Sequence, residues 1–223
     1  MDKPTPQEIE NQINDFIAQH SRFEARRDYL SISHVGNCPR KVVEEFRNGF
    51  QVAEHTHRMA FAGYEMEDSI RRMLEALGLV AAGSEGLEVV SPWDKRLRGH
   101  LDGLTPDGDV LEFKSVSRGQ FSKILEKGRP LWRHFVQVQL YMRYGELRNA
   151  LVVYRCRENY EHRVLEVPYN ERQAATFEVR AGRMLEAIDQ GKTLECECGM
   201  CGQKLIHHTR PSAETRWKSQ EET

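Results

Sequence analysis

The stretch from Gly99 to Lys114, Gly-His-Leu-Asp-Gly-Leu-Thr-Pro-Asp-Gly-Asp-Val-Leu-Glu-Phe-Lys, constrains this chain more than any other. Its pattern predicts a β-hairpin, with one strand over 98–104, a second over 109–116, and the turn formers Thr105, Pro106, Asp107 and Gly108 between them. Alternation along the second strand puts Glu112 and Lys114 on one face and sends Phe113 to the other, into a core. Asp102, across the hairpin, brings a second carboxylate to the same end. Two carboxylates and an ammonium on neighbouring strands cost desolvation and add no packing, so they make a poor structural element. They make a good hydrolytic site. Hard carboxylate oxygens hold Mg²⁺ or Mn²⁺, and the lysine orients or deprotonates a water and offsets charge on a phosphate. An exposed hairpin carrying common surface residues reads the same way in isolation, so the rest of the chain must decide.

A chain of 223 residues, 39% hydrophobic and 30% charged, suffices for one globular domain with a substantial core and a small appendage. No apolar run approaches a membrane-spanning length, and the opening Met-Asp-Lys-Pro-Thr-Pro is no signal peptide, so the cytoplasm is the expected location. A net charge of −2 does not advertise a nucleic-acid partner, but net charge hides local patches. Basic residues do cluster, at Arg22, Arg26 and Arg27, at Arg71 and Arg72, and at Arg129 and Arg133, where a solvated helix face is the competing reading. Five cysteines in a cytosolic chain argue against a disulfide framework. Cys38 and Cys156 stand alone, the latter reading as a buried small hydrophobe. Cys196, Cys198 and Cys201 crowd together, which is a metal signal.

Periodicity orders the remainder. Residues 6–29 read as an amphipathic helix carrying Ile9, Ile13, Phe16, Ile17 and Phe23. Ser33 suits the cap of a short turn, and Pro39 the first position of a helix running to Arg47. A helix over 60–77 turns Phe61, Ile70, Met73, Leu74 and Leu77 inward, with Gly63 admitting a close backbone and Gly78 ending it. Short strands are expected over 87–90 and 96–101, helices over 119–125 and 130–144, strands over 150–157 and 162–167, and a last long helix over 170–188. The order predicts an α/β fold, a mixed central sheet flanked by helices.

Four of these elements carry, in order, a family resemblance. Gly63-Tyr-Glu-Met-Glu67, Gly99-His-Leu-Asp102-Gly, Glu112-Phe-Lys114 and Gln137-Val-Gln-Leu-Tyr141 resemble the motifs of PD-(D/E)XK nucleases of the RecB-like exonuclease branch. The resemblance spans residues 31–157 and implies a restriction-endonuclease-like core. It implies that Asp102 and Glu112 ligate a catalytic Mg²⁺ or Mn²⁺, joined by Glu67 and the Phe113 backbone carbonyl. Lys114 then positions the water and stabilises the pentacoordinate phosphate, with Gln137 and Tyr141 beside it. Many members carry histidine where Glu67 stands. Glu65 is a rival whose spacing from Gly63 fits less well. His100 is a further candidate near the metal, or a hydrogen-bonded core histidine.

One upstream and three downstream cysteines also resemble a subset of that branch, the AddB-type helicase–nuclease subunits and the CRISPR-associated iron–sulfur exonucleases. The resemblance implies that Cys38, Cys196, Cys198 and Cys201 hold a [4Fe–4S] cluster. The Cys196-x-Cys198-x-x-Cys201 spacing departs from that subset, and Cys198-Gly-Met-Cys201-Gly also looks like a zinc knuckle, so Zn²⁺ competes. His207 and His208 follow and are superfluous beside four cysteines. Either metal would staple the last ordered segment to the first. The domain plan is then an N-terminal helix over 1–30, a nuclease domain over 31–205 that includes the cysteine segment 194–205, and a polar, mobile tail over 206–223.

The implied activity is a metal-dependent exonuclease hydrolysing single-stranded or end-frayed DNA, in phage recombination, repair or CRISPR-type processing. A structure-specific endonuclease and a catalytically idle DNA-end-binding module are the alternatives. Arg71, Arg72, Arg118, Lys123, Arg129 and Arg133 are candidate phosphate contacts, and Trp132 a base-stacking candidate or a rim residue. DNA is the expected partner, no membrane is involved, and a homo-oligomer and a recombination or CRISPR-adaptation partner protein are left open.

Overall fold

The computed structural model describes residues 5–21, 28–49 and 54–199. Cys201, His207, His208, Arg22, Arg26 and Arg27, Phe23 and the tail over 206–223 lie outside the described residues.

Helix α1 (Pro6–His20) starts in a reciprocal cap, where Thr5 accepts from the Glu8 backbone N–H and Glu8 reaches back to the Thr5 N–H. Its apolar stripe is not core: Ile9, Ile13 and Phe16 stand exposed and no residue of α1 is buried. The helix rests on α3 (Glu54–Ala76) through the Phe16–Phe61 edge contact and a 2.7 Å bond between Ser21 Oγ and His57 Nδ1. After β1 (Leu30–Ser31) and a 3₁₀ turn at Ile32–His34, Pro39 opens α2 (Pro39–Asn48) as expected, with Cys38 at its N-cap.

The sequence suggested one central sheet, and the structure has two among the described residues. A three-stranded sheet is ordered β1-β3-β2, from β2 (Glu88–Val90) and β3 (Leu97–His100). A four-stranded mixed sheet is ordered β4-β5-β6-β7, from β4 (Gly103–Leu104), β5 (Val110–Val116), β6 (Asn149–Cys156) and β7 (His162–Pro168). The strand expected over 98–104 is therefore broken at Leu101 and Asp102, where the chain passes from one sheet to the other.

The break has a local cause. β4 pairs with β5 through Gly103↔Leu111 and Leu104↔Val110, so a continuous strand would go on to pair Asp102 with Glu112 and Leu101 with Phe113. The Phe113 N–H instead donates to the Asp102 carboxylate, 2.7 Å away. The backbone groups of Leu101 bond to Gly86 and Leu87. The turn at 105–108 forms as the sequence indicates, with Gly108 at φ 88° and the Asp109 N–H on Thr105 Oγ1.

Between β5 and β6, α4 (Arg118–Lys127) and α5 (Trp132–Gly145) make the crossover that a parallel pair requires, and α6 (Glu171–Asp189) closes the domain. The main core lies between the sheets, α5 and α6, and buries Val110, Val116, Val138, Met142, Tyr154, Phe177 and Met184. A smaller core beneath α3 joins Ile70 to Leu111, Phe113 and Val153, with Leu74 at its margin. That sheet face is filled by Ile70 and Leu74, so Met73 and Leu77, expected inside, stand exposed. No helix among the described residues is long and apolar enough to cross a membrane.

Candidate active site

β5 is the strand on which the site is built. Its odd-numbered residues Leu111 and Phe113 enter the small core under α3, and its even-numbered residues Val110 and Val116 enter the main core, so Glu112 and Lys114 face α5. β6 covers one side of β5 along its whole length, in parallel register with Glu112↔Val152 and Lys114↔Tyr154. β4 covers the other side only at Val110 and Leu111. Beyond them the β5 edge is open, and unpaired backbone N–H groups there need acceptors. Two carboxylates supply them. Asp102 takes the Phe113 N–H, and Glu67, from the middle of α3, takes the Ser115 N–H. The Phe113 carbonyl shares the edge with its N–H, because both groups of one residue point the same way in an antiparallel pair.

Glu112 is the most buried charge in the described residues, at 0% exposure. Its Oε1 lies 2.5 Å from Lys114 Nζ and accepts from Gln137 Nε2 at 2.7 Å. Its Oε2 is buried without a partner among the described residues. Burial, reinforced by Asp102, pushes the Glu112 carboxyl up to about 8. Burial likewise raises Glu67 to about 7, against the pull of Lys114. Burial alone would lower the Lys114 ammonium, but Glu112, Glu67 and Asp102 outweigh it and hold the lysine well above its ordinary value. A lone buried carboxylate oxygen among carboxylates that retain protons is a set of hard ligands short of positive charge, which fits a divalent cation. The candidate ligands are Asp102, Glu112, Glu67 and the Phe113 carbonyl.

Gln137 and Tyr141 sit one turn apart on α5 and serve Glu112 together. Gln137 Nε2 also donates to the Tyr141 hydroxyl at 3.2 Å, and Tyr141 donates to the His100 carbonyl at 2.8 Å. Gly99 makes room for this ring: a Cβ there would lie 2.9 Å from Tyr141 Cε1 and hydroxyl oxygen. Gly63 has no such duty, since its Cβ would meet only Ser115 Oγ, at 3.7 Å, so the expected close backbone approach is absent at this residue.

The remaining candidates distribute unevenly. His100 does not join the carboxylates: its side chain is exposed with Nε2 3.9 Å from Glu88, because the strand ends there instead of continuing to Asp102. Glu65 is exposed on α3, unlike Glu67. Arg71 is largely buried against Asp68 and Glu85, which neutralise it. Arg72, Arg118, Lys123, Arg129 and Arg133 are exposed. Trp132 is exposed and meets Phe177 edge-on at 5.2 Å. Two buried residues near Lys114 were not singled out from the sequence, His134 and Tyr154, joined by a 2.8 Å bond. The signal was present as polar residues at 134, 137 and 141, one face of α5.

The cysteines converge from opposite ends of the chain. Cys38 Sγ lies 4.0 Å from Cys196 Sγ, which lies 3.6 Å from Cys198 Sγ. Among the described residues this is the one group of three histidine, cysteine or acidic ligand atoms lying within 4.8 Å of one another. Two arginines hold it closed. Arg180 donates to the carbonyls of Val35 and Asn37, beside Cys38, and pairs with Glu197 between the other two cysteines at 2.6 Å. Arg47 binds the carbonyls of Ala187 and Lys192. Cys156 is buried on β6, as expected.

No family model matches the sequence, and no curated protein matches it. Solved structures do resemble the fold. An alkaline exonuclease from Laribacter hongkongensis, LHK-Exo, superposes with a TM-score of 0.57 at 15% identity, over 81% of this chain and 95% of that one. A second structure of that enzyme contains dAMP. A protein designated SSO0001 gives a TM-score of 0.60 at 16% identity, over 89% of this chain and 95% of that one. A phage-related exonuclease from Haemophilus somnus gives 0.52 at 12% identity, over 73% of this chain and 94% of that one. The chain thus shares the fold of these structures, exonucleases among them.

Proposed function

We propose that this protein is a divalent-metal-dependent DNA exonuclease acting on single-stranded or end-frayed DNA. The observation that carries the reading is the buried Glu112 Oε2, without a partner among the described residues, beside Lys114 on the strand whose open edge Asp102 and Glu67 dock against, in a fold shared with exonucleases. Asp102, Glu112, Glu67 and the Phe113 carbonyl would hold Mg²⁺ or Mn²⁺. Bound there, the metal would polarise the phosphate and acidify a water. Lys114, 2.5 Å from Glu112, is placed to hold the water and to offset phosphate charge. Gln137 fixes Glu112, and Tyr141 fixes Gln137.

Cys38, Cys196 and Cys198, with Cys201, would bind a second, structural metal. The S···S separations of 3.6 and 4.0 Å straddle the edge of a sulfur tetrahedron around one zinc, about 3.8 Å for a Zn–S bond of about 2.3 Å. A [4Fe–4S] cluster gives each thiolate its own iron and requires the sulfurs to spread. Metal analysis of anaerobically purified protein separates the two.

The function is tested with linear single-stranded, linear duplex and covalently closed circular DNA, each with Mg²⁺, Mn²⁺ or EDTA. Shortening of the linear substrates from their ends, metal-dependent and absent on circles, is the expected result. Nicking of circles would favour an endonuclease. Intact DNA with every metal, despite tight binding, would favour an end-binding module.

A further inference from the structure

His134 is buried in the first turn of α5, outside the set of groups assigned to the chemistry. Its two ring nitrogens have distinct partners. Arg133 Nε donates to Nε2 at 2.9 Å, and Nδ1 lies 2.8 Å from the Tyr154 hydroxyl. Because Arg133 can only donate, Nε2 is an acceptor and the Nδ1–H donates to Tyr154. The imidazole is therefore neutral. Burial, with the charges of Lys114 and Arg133, keeps it so by holding the ring well below its ordinary value. Tyr154 is in turn fixed by the Leu131 N–H at 3.1 Å and is the cross-strand neighbour of Lys114.

Arg133 differs from the other structural arginines. Arg71, Arg96, Arg143 and Arg180 each face a carboxylate. Arg133 makes no ion pair among the described residues and is held by a neutral acceptor, so no carboxylate there neutralises it, while burial lowers its guanidinium from the ordinary value. Its main chain is also gripped: a Cβ on Gly36 would come within 2.5 Å of Arg133 Cα. Arg157 stands near enough for its charge to act on Arg133. A guanidinium fixed at its backbone and at Nε, with its outer edge free, is organised for bidentate recognition of a phosphate.

We propose that His134 is a positioning residue that fixes the Arg133 guanidinium to take a backbone phosphate of the DNA strand beside the Lys114 site. The role rests on the nuclease reading and extends it. It makes the Arg133–His134–Tyr154 chain the link between strand binding and the reacting end of β5.

The test measures binding of a labelled single-stranded oligonucleotide by anisotropy in Mg²⁺, in a Lys114→Ala parent that does not cleave, over a range of salt. Arg133→Ala should weaken binding about tenfold or more. It should also reduce the salt slope by about one. His134→Phe should reproduce most of both losses, the double variant should be no worse than Arg133→Ala, and His134→Gln, which keeps an acceptor, should recover affinity. A merely structural histidine would lower the melting temperature but leave the salt slope unchanged and act additively with Arg133→Ala. That additivity, or wild-type affinity in Arg133→Ala, overturns the role while the nuclease reading stands. A parent that binds no DNA, with a wild type that cleaves none, overturns both. If His134→Phe fails to fold, the Gln and Arg133 variants alone decide.

Discussion

Two glycines that look alike in sequence should respond oppositely to alanine. At Gly99 a built Cβ lies 2.9 Å from Cε1 and the hydroxyl oxygen of Tyr141 and 3.3 Å from Ile32 Cβ. Comfortable carbon separations are about 3.5–4.0 Å, so the ring must retreat by roughly 0.5–1 Å. Tyr141 is 2% exposed and has little room to do so. Overpacking of this kind costs about 1–3 kcal/mol. Loss of the Tyr141–His100 hydrogen bond adds about 0.5–1.5 kcal/mol. The reduced entropy of the unfolded chain returns about 0.4–1 kcal/mol. The net expectation for Gly99→Ala is a destabilisation of about 0.5–4 kcal/mol. Gly63 lies inside α3, where a Cβ meets only Ser115 Oγ, at an ordinary 3.7 Å. Gly63→Ala should therefore stabilise by up to about 0.5–1 kcal/mol. Urea unfolding of the two variants and the wild type, without added divalent metal, gives the comparison. Tyr141→Leu should partly rescue Gly99→Ala by clearing the collision, a coupling that distant sites do not show. Equal losses at the two glycines, or a Gly99→Ala variant within about 0.5 kcal/mol of wild type, would refute the packing argument.

Other consequences follow from the same residues. Glu112 and Glu67 bind protons more tightly folded, at about 8 and 7, than as free side chains near 4.5. Without added divalent metal, stability should fall as pH rises from about 5 to 8, because the folded state holds the extra protons there. Lys114, whose folded value is raised, contributes a constant amount across that window and loses it only in strong alkali. Glu112→Gln should flatten the thermal-melt profile over that range, and an unchanged slope would contradict the assignment. The same variant should weaken Mg²⁺ binding at least roughly 10- to 100-fold, measured by titration calorimetry. Arg180→Ala should lower metal content at the cysteines and the melting temperature together, since it frees both the Val35–Asn37 and Glu197 attachments. Full metal occupancy in that variant would show that the thiols need no clasp.

Much of the site was legible because chemistry and periodicity coincide there. Alternation alone placed Glu112 and Lys114 on one face of β5 and Phe113 on the other. The four-residue step from Gln137 to Tyr141 placed both on one side of α5, where each reaches its partner. The break at Asp102 was not legible. A period-two pattern cannot show that a side-chain carboxylate will displace a backbone partner from the ladder, so His100 was expected on the wrong face. The stripe Ile9, Ile13 and Phe16 has the spacing of a core helix, but spacing says nothing of whether another element covers it. His134 was missed for a related reason. Its importance lies in Tyr154 and Arg133, one of them on a distant strand.

The central claim is that the Lys114–Glu112 pair stands at a hydrolytic centre. The most direct measurement compares wild type with Lys114→Ala on end-labelled DNA in Mg²⁺ or Mn²⁺, with DNA binding and cysteine-bound metal followed in parallel. The account predicts metal-dependent shortening by the wild type and loss of cleavage by the variant. DNA affinity and cysteine-bound metal should be nearly unchanged, because the lysine acts in the transition state. Cleavage at the wild-type rate by Lys114→Ala, or no cleavage by a wild type that binds DNA and retains its metal, would contradict it.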